Sequence, residues 1–442
     1  MKQSSIAIIG GGASGIGVAK ALRERNIDFT LFEATDKLGG NWQPTGPASK
    51  MYESAHLISS KRNTQFADYP MPDGYPAYPR HTLFYDYLCS AASSYHVEDN
   101  TRFNMPVQSM VRSMDGWRLG FADGTSEHFD LVVICNGLLR RPVMPVYPGQ
   151  FTGQSLHSAE YKSAEQLRGK RVLVVGSGNS GCDIAVDAGQ RAAKAFHSTR
   201  RGYYYMPKFI GGLPTQEWLM NEAPKFPDSE AYWKHVKDTF KLAGFDGTDY
   251  GLPEPDHEIY ECHPIMNSQI LYYIGHGDVS AKPDIIRIDG TTVSFADESK
   301  EEIDVIIWAT GFDIDMSFLD GSGFDWKQSF HSLFLRMVPV EVDNLLFVGY
   351  LNTPSGIGNL ANIMGRFVSA YVAARERNGE AFSTFLKLKQ NGKMVDLGQS
   401  RFMKTIRHEY EVDLWKYIKA VNFVTSKLQE DLQRTSERRL YA

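Results

Sequence analysis

The sequence has few cysteines, and none of them has the spacing of a metal site or a redox pair. Only four occur in 442 residues, at Cys89, Cys135, Cys182 and Cys262. A C-x-x-C motif, the usual signature of a structural zinc site or a redox-active disulfide, is missing. We therefore expect no metal site, no disulfide-reductase chemistry and reduced thiols, as in a cytoplasmic protein.

Long apolar runs and an excess of positive charge are missing as well. The longest apolar runs, such as Leu131–Cys135 and Val305–Ala309, are far shorter than the ~20 residues that span a bilayer. The opening Met1–Ser5 leads straight into an apolar strand pattern, which leaves no room for a signal peptide. With 47 basic and 52 acidic residues the formal net charge is −5, which argues against nucleic acid or an anionic membrane as a partner.

A glycine-rich loop near the N-terminus predicts a nucleotide site. Ser5–Ile9 has the short, apolar, β-branched pattern of a buried parallel strand, and Ile16–Arg25 has helical spacing. The G-x-G-x-x-G motif between them stands in the context that binds dinucleotides, where a pyrophosphate approaches the backbone N–H groups of a helix N-terminus. The residues predicted to hold this phosphate are Gly10, Gly12, Ala13, Ser14 and Gly15.

The residues after this loop indicate which nucleotide it binds. Glu33 ends the strand pattern of Phe29–Phe32, and a carboxylate there accepts hydrogen bonds from a ribose 2′-OH and repels a 2′-phosphate. Leu38–Trp42 then turns back over the nucleotide, with glycines that let backbone approach a flat ring and an indole that covers it. We therefore assign FAD to this site, with the further binding residues Glu33, Gly40, Asn41 and Trp42.

A second glycine-rich loop, Gly176–Gly181, lies in the middle of the chain between a strand and a helix pattern. The following strand, Lys194–Ser198, ends in Thr-Arg-Arg instead of an acid. Two guanidinium groups there hold a 2′-phosphate by charge-assisted, bidentate hydrogen bonds, the alternative being a solvated basic corner. We assign NADPH to this site, with the binding residues Gly176, Gly178, Asn179, Ser180, Gly181, Arg200 and Arg201.

The two loops predict an α/β flavoprotein with a Rossmann-like FAD domain and an inserted Rossmann-like NADPH domain. We place the FAD domain at residues 1–155 and 283–442 and the NADPH domain at 156–282. The strand pattern of Ile303–Trp308, followed by Ala-Thr-Gly, resembles Leu131–Gly137. We therefore expect these two strands in the same sheet.

The remaining segments predict elements around these sheets. Residues 43–82 have no clear period and are rich in Pro and Tyr, which is typical of an active-site covering. A helix pattern covers Thr82–Ser94, and hairpin patterns cover Gln108–Phe129. Residues 203–270, with a helix pattern at 231–242, form an insert that covers the nicotinamide, shapes substrate access or is a plain elaboration. Residues 401–433 have amphipathic helix patterns that fit core packing or a homodimer face.

At these motifs the chain resembles the class B flavin-containing monooxygenases over most of its length. Phe151–Tyr161 carries their F-x-G-x-x-x-H-x-x-x-Y fingerprint, with His157 and Tyr161 at the junction of the two domains. With Tyr161 at its last position, the fingerprint resembles that of the branch that oxygenates nitrogen and sulfur, whereas the Baeyer–Villiger branch favours Trp there. Further matches are Gly39–Trp42, Ser198–Gly202, Tyr250–His257 and Ala309–Gly311.

The resemblance implies a reaction and its partners. NADPH would reduce FAD, O2 would add to give a C4a-hydroperoxyflavin, and bound NADP+ would protect it. A small amine or sulfide would then take the distal oxygen atom. The protein would supply orientation and exclude water.

One position departs from the family pattern. Where the family has N-x-x-K, this chain has Ile58-Ser-Ser-Lys61, and isoleucine cannot donate the hydrogen bond by which the family's amide helps hold the oxygenated flavin. Ser59 or the backbone would have to substitute, or the protein would be largely an uncoupled NADPH oxidase. We therefore assign no catalytic residue.

Three other functions stay open at this point. A Baeyer–Villiger monooxygenase would act on ketones instead of amines or sulfides. A disulfide reductase would share the two nucleotide domains but needs a redox-active cysteine pair near the flavin, and no pair in the sequence is spaced for it. A non-enzymatic flavoprotein sensor would bind FAD without oxidising NADPH. Substrate identity and oligomeric state do not follow from the sequence.

Overall fold

A computed structural model describes residues 4–390, 395–405 and 408–430 of the chain. Within these ranges the strands, in chain order, are β1 (Ile6–Ile9), β2 (Thr30–Phe32), β3 (Thr101–Arg102), β4 (Val107–Arg112), β5 (Trp117–Phe121), β6 (Ser126–Phe129), β7 (Leu131–Ile134), β8 (Arg141–Pro142), β9 (Gly149–Phe151), β10 (Gln154–His157), β11 (Arg171–Val175), β12 (Lys194–Ser198), β13 (Phe209–Ile210), β14 (Leu213–Pro214), β15 (Val279–Lys282), β16 (Ile285–Gly290), β17 (Thr292–Phe295), β18 (Lys300–Glu302), β19 (Val305–Trp308), β20 (Phe312–Asp313) and β21 (Leu345–Phe347). The helices are α1 (Ala13–Arg23), α2 (Lys61–Thr64), α3 (His81–Ser94), α4 (Asn179–Arg191), α5 (Thr215–Glu222), α6 (Ser229–Leu242), α7 (Gln269–Gly275), α8 (Trp326–His331), α9 (Ile357–Arg377), α10 (Glu380–Gln390) and α11 (Leu414–Leu428).

The first parallel sheet is built around the N-terminal loop. Its strand order is β21-β7-β1-β2-β3, and every neighbouring pair is parallel. All residues of β1 and β7 are buried, because helices cover one face of the sheet and the β4–β6 meander covers the other. The strand order reverses between β1 and β7, and residues 10–12 emerge at their carboxyl edge. In open α/β sheets this is the place where nucleotides bind.

The second parallel sheet repeats this arrangement around the second loop. Its order is β10-β19-β11-β12-β15, again with parallel pairs throughout. Here β11 and β19 take the places of β1 and β7, and residues 176–178 emerge beside the end of β19. The helix after each loop, α1 or α4, returns the chain to the next strand of the same sheet. The two loops therefore lie at equivalent edges of two similar sheets.

The pairing of β19 corrects one prediction. We expected this strand in the same sheet as β7, but its residues pair with β11 and β10, with Trp308 opposite Val175. The two segments resemble each other because they hold equivalent places in different sheets. Residues 305–308 thus lie in the second sheet, although they belong to the segment that we predicted to return to the FAD domain. The domain limits otherwise stay a prediction.

Two glycines bring α1 and α9 into close contact under the first site. A Cβ on Gly365 would lie 2.3 Å from the carbonyl oxygen of Gly17, and a Cβ on Gly17 would lie 2.9 Å from Ala361. Neither position leaves room for a side chain, so the helix backbones pack directly on each other. This contact places the N-terminus of α9 near that of α1. Gly356 and Gly358 there press against the backbone of residues 63–65.

Most of the other predicted elements are present in the described ranges. Helices α3 and α6 cover the two predicted helical segments, and β4–β6 form the predicted antiparallel hairpins. Residues 43–80 contain only the one-turn helix α2, as the aperiodic sequence indicated. Of residues 401–433, α11 is a long helix and 431–433 lie outside the described ranges. No described helix is long and apolar enough to cross a membrane.

Candidate functional site

The first and last glycines of both loops are required by the fold. Gly10 and Gly176 have φ values of 104° and 112°, in the left-handed region that favours glycine. A Cβ on Gly10 would lie 2.7 Å from the carbonyl oxygen of Cys135, and one on Gly176 would lie 2.5 Å from that of Ala309. A Cβ on Gly15 would lie 2.0 Å from the carbonyl oxygen of Gly10 in the first loop. A Cβ on Gly181 would lie 1.9 Å from the carbonyl oxygen of Gly176 in the second.

The middle glycines are different, because the protein itself leaves room for a side chain there. Gly178 has φ −68°, and a Cβ on it would meet no atom within 4 Å. Gly12 has φ −76°, and a Cβ would meet only the Cα of Gly40, at an ordinary contact distance of 3.8 Å. These positions cap α1 and α4, neither of which has a side-chain cap or an acidic residue in its first turn. Open space before uncapped N–H groups fits a bound pyrophosphate at each loop.

Glu33 lies next to the first loop, and one lone-pair site of its carboxylate accepts no hydrogen bond from the described residues. Its Oε2 accepts a hydrogen bond from the N–H of Gly11 at 2.8 Å. Its Oε1 accepts from the N–H and the hydroxyl of Thr35, at 2.9 and 2.8 Å. A carboxylate offers about four lone-pair sites, so Oε2 retains one for a ribose hydroxyl. The buried carboxylate also holds the loop and the end of β2 together.

The Gly39–Trp42 turn folds back over the first loop, as its sequence indicated. The N–H of Gly39 donates to the carbonyl oxygen of Gly11 at 2.9 Å, and a Cβ on Gly40 would lie 3.1 Å from the Cα of Gly12. The Trp42 ring packs edge-on against Phe84, with ring centroids 4.6 Å apart. Backbone of this turn therefore lies against the predicted phosphate loop. The assignment of Ala13, Ser14, Asn41 and Trp42 to FAD stays a prediction.

The two arginines after β12 have different surroundings. Arg201 donates to Asp256 at 2.7 Å and is about one-third exposed. Arg200 is exposed and has no hydrogen bond or ion pair with any residue of the described ranges. Arg200 is therefore available to an anionic group from outside the protein, whereas Arg201 already has a carboxylate partner. The sequence did not distinguish between the two.

His197 supports the second loop from beneath, and sequence reasoning missed it. The ring is fully buried on β12, and its Nε2 lies 3.1 Å from the carbonyl oxygen of Gly176. Because a carbonyl only accepts, Nε2 carries the proton. Burial lowers the pKa of His197 to about 4, so the ring is neutral at physiological pH. A buried histidine within an apolar strand was the available signal.

The fingerprint residues connect the second sheet to its surroundings. Nδ1 of His157 accepts from the N–H of Ala159 at 3.1 Å, so Nε2 carries the proton and donates to the carbonyl oxygen of Gly311 at 3.0 Å. Burial lowers the pKa of His157, which favours this neutral form. The Tyr161 hydroxyl donates to Oδ2 of Asp187 on α4 at 2.8 Å. His157 thus fixes the loop after β19, and Tyr161 fixes helix α4.

The Ile58–Lys61 segment offers no free side-chain donor at its first two positions. Ile58 is half-buried against the apolar cluster of the insert, which includes Met206, Ile259 and Met266. Ser59 is buried, and its hydroxyl shares a 2.6 Å hydrogen bond with the hydroxyl of Thr64.

Lys61 has a structural role in the same segment. Its Nζ donates to the carbonyl oxygens of Pro72, Asp73 and Tyr75, at 3.3, 2.9 and 3.0 Å. These bonds hold the following loop in place. The catalytic assignment therefore stays open.

Comparison with known proteins identifies the family to which this chain belongs. The model of the flavin-binding monooxygenase-like family matches residues 3–426. Human flavin-containing monooxygenase 5 is 29% identical over 444 residues, covering 93% of this chain and 81% of that protein. Rat flavin-containing monooxygenase 1 is 34% identical over 363 residues, covering 76% and 67%. A structure of cyclohexanone monooxygenase with ε-caprolactone bound has the same fold, with a TM-score of 0.73 at 16% identity over 96% of this chain and 98% of that one.

The chain therefore belongs to the flavin-binding monooxygenase-like family. It is an NADPH-dependent flavin monooxygenase, an oxidoreductase whose cofactors are FAD and NADPH and which uses O2 and a substrate. The predicted α/β fold with two dinucleotide-binding domains and the predicted cofactors are confirmed. When bound, the two cofactors supply hydride transfer and O2 activation, and the protein holds them in place.

The open space at Gly178 leads to a testable difference between two glycines of one loop. We expect Gly178→Ala to keep the FAD content and the thermal midpoint of the NADP-free protein, because its Cβ meets no protein atom. The NADPH Kd should rise at least about tenfold, since the methyl group occupies the approach of the pyrophosphate. Isothermal titration of the FAD-loaded protein measures this effect.

Gly181→Ala is the matched comparison. Its Cβ would lie 1.9 Å from the carbonyl oxygen of Gly176, so we expect loss of folded protein and not a selective loss of affinity. An unchanged NADPH Kd in Gly178→Ala would show that the pyrophosphate does not lie before α4.

Proposed function

We propose that this monooxygenase transfers one oxygen atom of O2 to a small nucleophilic nitrogen or sulfur compound. The observation that carries the proposal is the pair of equivalent loops with opposite charges at their ribose ends. Glu33 suits the unphosphorylated ribose of FAD, and the exposed Arg200 suits the 2′-phosphate of NADPH. Tyr161 at the fingerprint favours the nitrogen- and sulfur-oxygenating branch.

The roles of the chain's own residues follow from this proposal. The N–H groups at the starts of α1 and α4 bind the two pyrophosphates, and Glu33 binds the FAD ribose. The Gly39–Trp42 turn and residues 43–80 cover the flavin side and exclude water. His157 and Tyr161 orient the loop after β19 and helix α4. No side chain of the described segment 58–61 moves a proton in this proposal.

Product stoichiometry tests the substrate class. The FAD-loaded protein is given NADPH and O2 with a thioether, a tertiary amine or a cyclic ketone in separate reactions, and NADPH, H2O2 and organic product are measured. We expect an S-oxide or N-oxide as the main product and little ester from the ketone. Ester as the main product would identify a Baeyer–Villiger enzyme instead, and H2O2 alone with all three substrates would contradict the proposal.

Ile58 favours one alternative, an enzyme that is largely uncoupled. An isoleucine donates no hydrogen bond to a flavin adduct, and its neighbour Ser59 is bonded to Thr64. NADPH would then be oxidised with release of H2O2 in place of substrate oxygenation. The ratio of H2O2 to product therefore distinguishes the two functions.

We expect Ile58→Asn to lower the H2O2 released per NADPH and to slow reoxidation of the reduced flavin by O2 when NADP+ is bound. The physical reason is the new amide donor at the position where the family has one. Stopped-flow absorbance and peroxide assays measure both effects. Ile58→Leu is the control, because it keeps the apolar contacts without adding a donor. Equal peroxide yields in the two variants would refute the role given to this position.

We expect Arg200→Ala to raise the KM for NADPH about ten- to a hundredfold and to leave that for NADH nearly unchanged. Loss of a hydrogen bond to a charged group costs about 1.5–3 kcal/mol, and NADH has no 2′-phosphate. Arg201→Ala should have a smaller effect, because Arg201 already binds Asp256. Arg287→Ala removes another exposed arginine, which lies on β16 and pairs with Asp289, and serves as the control. Parallel changes for NADPH and NADH in Arg200→Ala would refute the assignment.

A further inference from the structure

We propose that Asp183 and Asp187, one turn apart on α4, are positioning residues that fasten the flavin-side segment 49–56 to the NADPH-binding helix. When a nucleotide binds at the Gly176–Gly181 loop, these two carboxylates fix the position of residues 49–56. This segment follows the Gly39–Trp42 turn along the chain. The proposal rests on the assignment of FAD and NADPH to their loops. It concerns hydride transfer and is independent of which substrate is oxygenated.

Asp187 joins three parts of the chain through one oxygen atom. Its Oδ2 accepts from the hydroxyl of Ser54 at 2.6 Å and from the hydroxyl of Tyr161 at 2.8 Å. Asp187 and Tyr161 are both buried, at 6% and 0% exposure. A buried carboxylate that accepts two hydroxyl bonds is stabilised in its ionised form by them, and the hydroxyls lose their partner if it is removed. The flavin-side segment, the fingerprint and α4 therefore meet at this atom.

Asp183 makes a second junction one turn closer to the loop. Its Oδ2 accepts from the hydroxyl of Tyr52 at 2.8 Å, and its Oδ1 accepts from the side-chain amide of Asn267 at 2.5 Å. The neighbouring Met266 donates its N–H to Oδ1 of Asn179, the first residue of α4. The end of the insert and the flavin-side segment are thus both bound to the first two turns of the helix.

The segment is also continuous with the turn that covers the first loop. The N–H of Lys50 donates to the carbonyl oxygen of Asn41 at 3.2 Å. The N–H of Glu53 donates to the carbonyl oxygen of Lys162 at 2.7 Å, and Lys162 Nζ donates to the carbonyl oxygens of Ser49 and Met51. A displacement of α4 is therefore transmitted within a few residues to the Gly39–Trp42 turn.

This arrangement matters for hydride transfer because that step depends steeply on the distance and alignment of the two rings. A misplacement of about 1 Å can cost about a hundredfold in rate. The helix N-terminus fixes one nucleotide, and the Gly39–Trp42 turn lies against the loop of the other. Asp183 and Asp187 are side chains of α4 that connect these parts directly by hydrogen bonds.

The kinetic test uses Asp187→Ala and Asp183→Ala in the FAD-loaded protein under anaerobic conditions. We expect the limiting rate of flavin reduction to fall about ten- to a hundredfold, with the NADPH Kd changed less than about threefold. Asp187→Asn keeps an acceptor oxygen and should restore most of the rate. Asp304→Asn is the control. It weakens the ion pair with Arg171 at the amino-terminal ends of β11 and β19, away from the Gly176–Gly181 loop at the carboxyl ends. A Kd that rises as much as the rate falls, or no rescue by Asn, would overturn the proposal.

Amide hydrogen exchange gives a readout that does not depend on turnover. In the wild type, we expect NADP+ to slow exchange in α4 and in residues 49–56 together. In a double variant with Asp183→Ala and Asp187→Ala, NADP+ should still protect α4 but no longer the segment. Protection of the segment that persists in the double variant would overturn the proposal. A wild-type flavin that NADPH does not reduce would instead count against the proposed function.

Discussion

The structure depends on the close contact between each glycine-rich loop and the end of a neighbouring parallel strand. Gly10 lies against the carbonyl oxygen of Cys135, and Gly176 lies against that of Ala309, at distances that exclude any side chain. This contact points the N-terminus of the next helix at the carboxyl edge of its sheet. Both nucleotide sites therefore arise from one packing constraint, used twice in the same chain.

The two sites have opposite charges after the strand that follows each loop. At the first, Glu33 is buried and accepts three hydrogen bonds from the loop and from Thr35. At the second, the corresponding strand ends in Arg200, which is exposed and has no partner among the described residues. In the proposed assignment, a shared backbone with opposite side-chain charges lets one fold separate a flavin nucleotide from a phosphorylated nicotinamide nucleotide.

The sequence was sufficient for features that depend on neighbours along the chain. The loops, the helices after them and the contrast between Glu33 and the pair Arg200 and Arg201 follow from local periodicity and glycine spacing. The sheet that contains β19 did not follow, because a short apolar strand fits either sheet equally well. The contacts of Asp183 and Asp187 with Tyr52 and Ser54 were out of reach too, since they join residues 131 and 133 positions apart.

We propose that FAD and NADPH occupy the two glycine-rich-loop sites of this chain and exchange a hydride there. Anaerobic addition of NADPH to the FAD-loaded protein, followed by the flavin absorbance near its visible maximum, tests this most directly. We expect an equimolar amount of NADPH to bleach the flavin completely. A protein that binds FAD but keeps it oxidised in excess NADPH would contradict it.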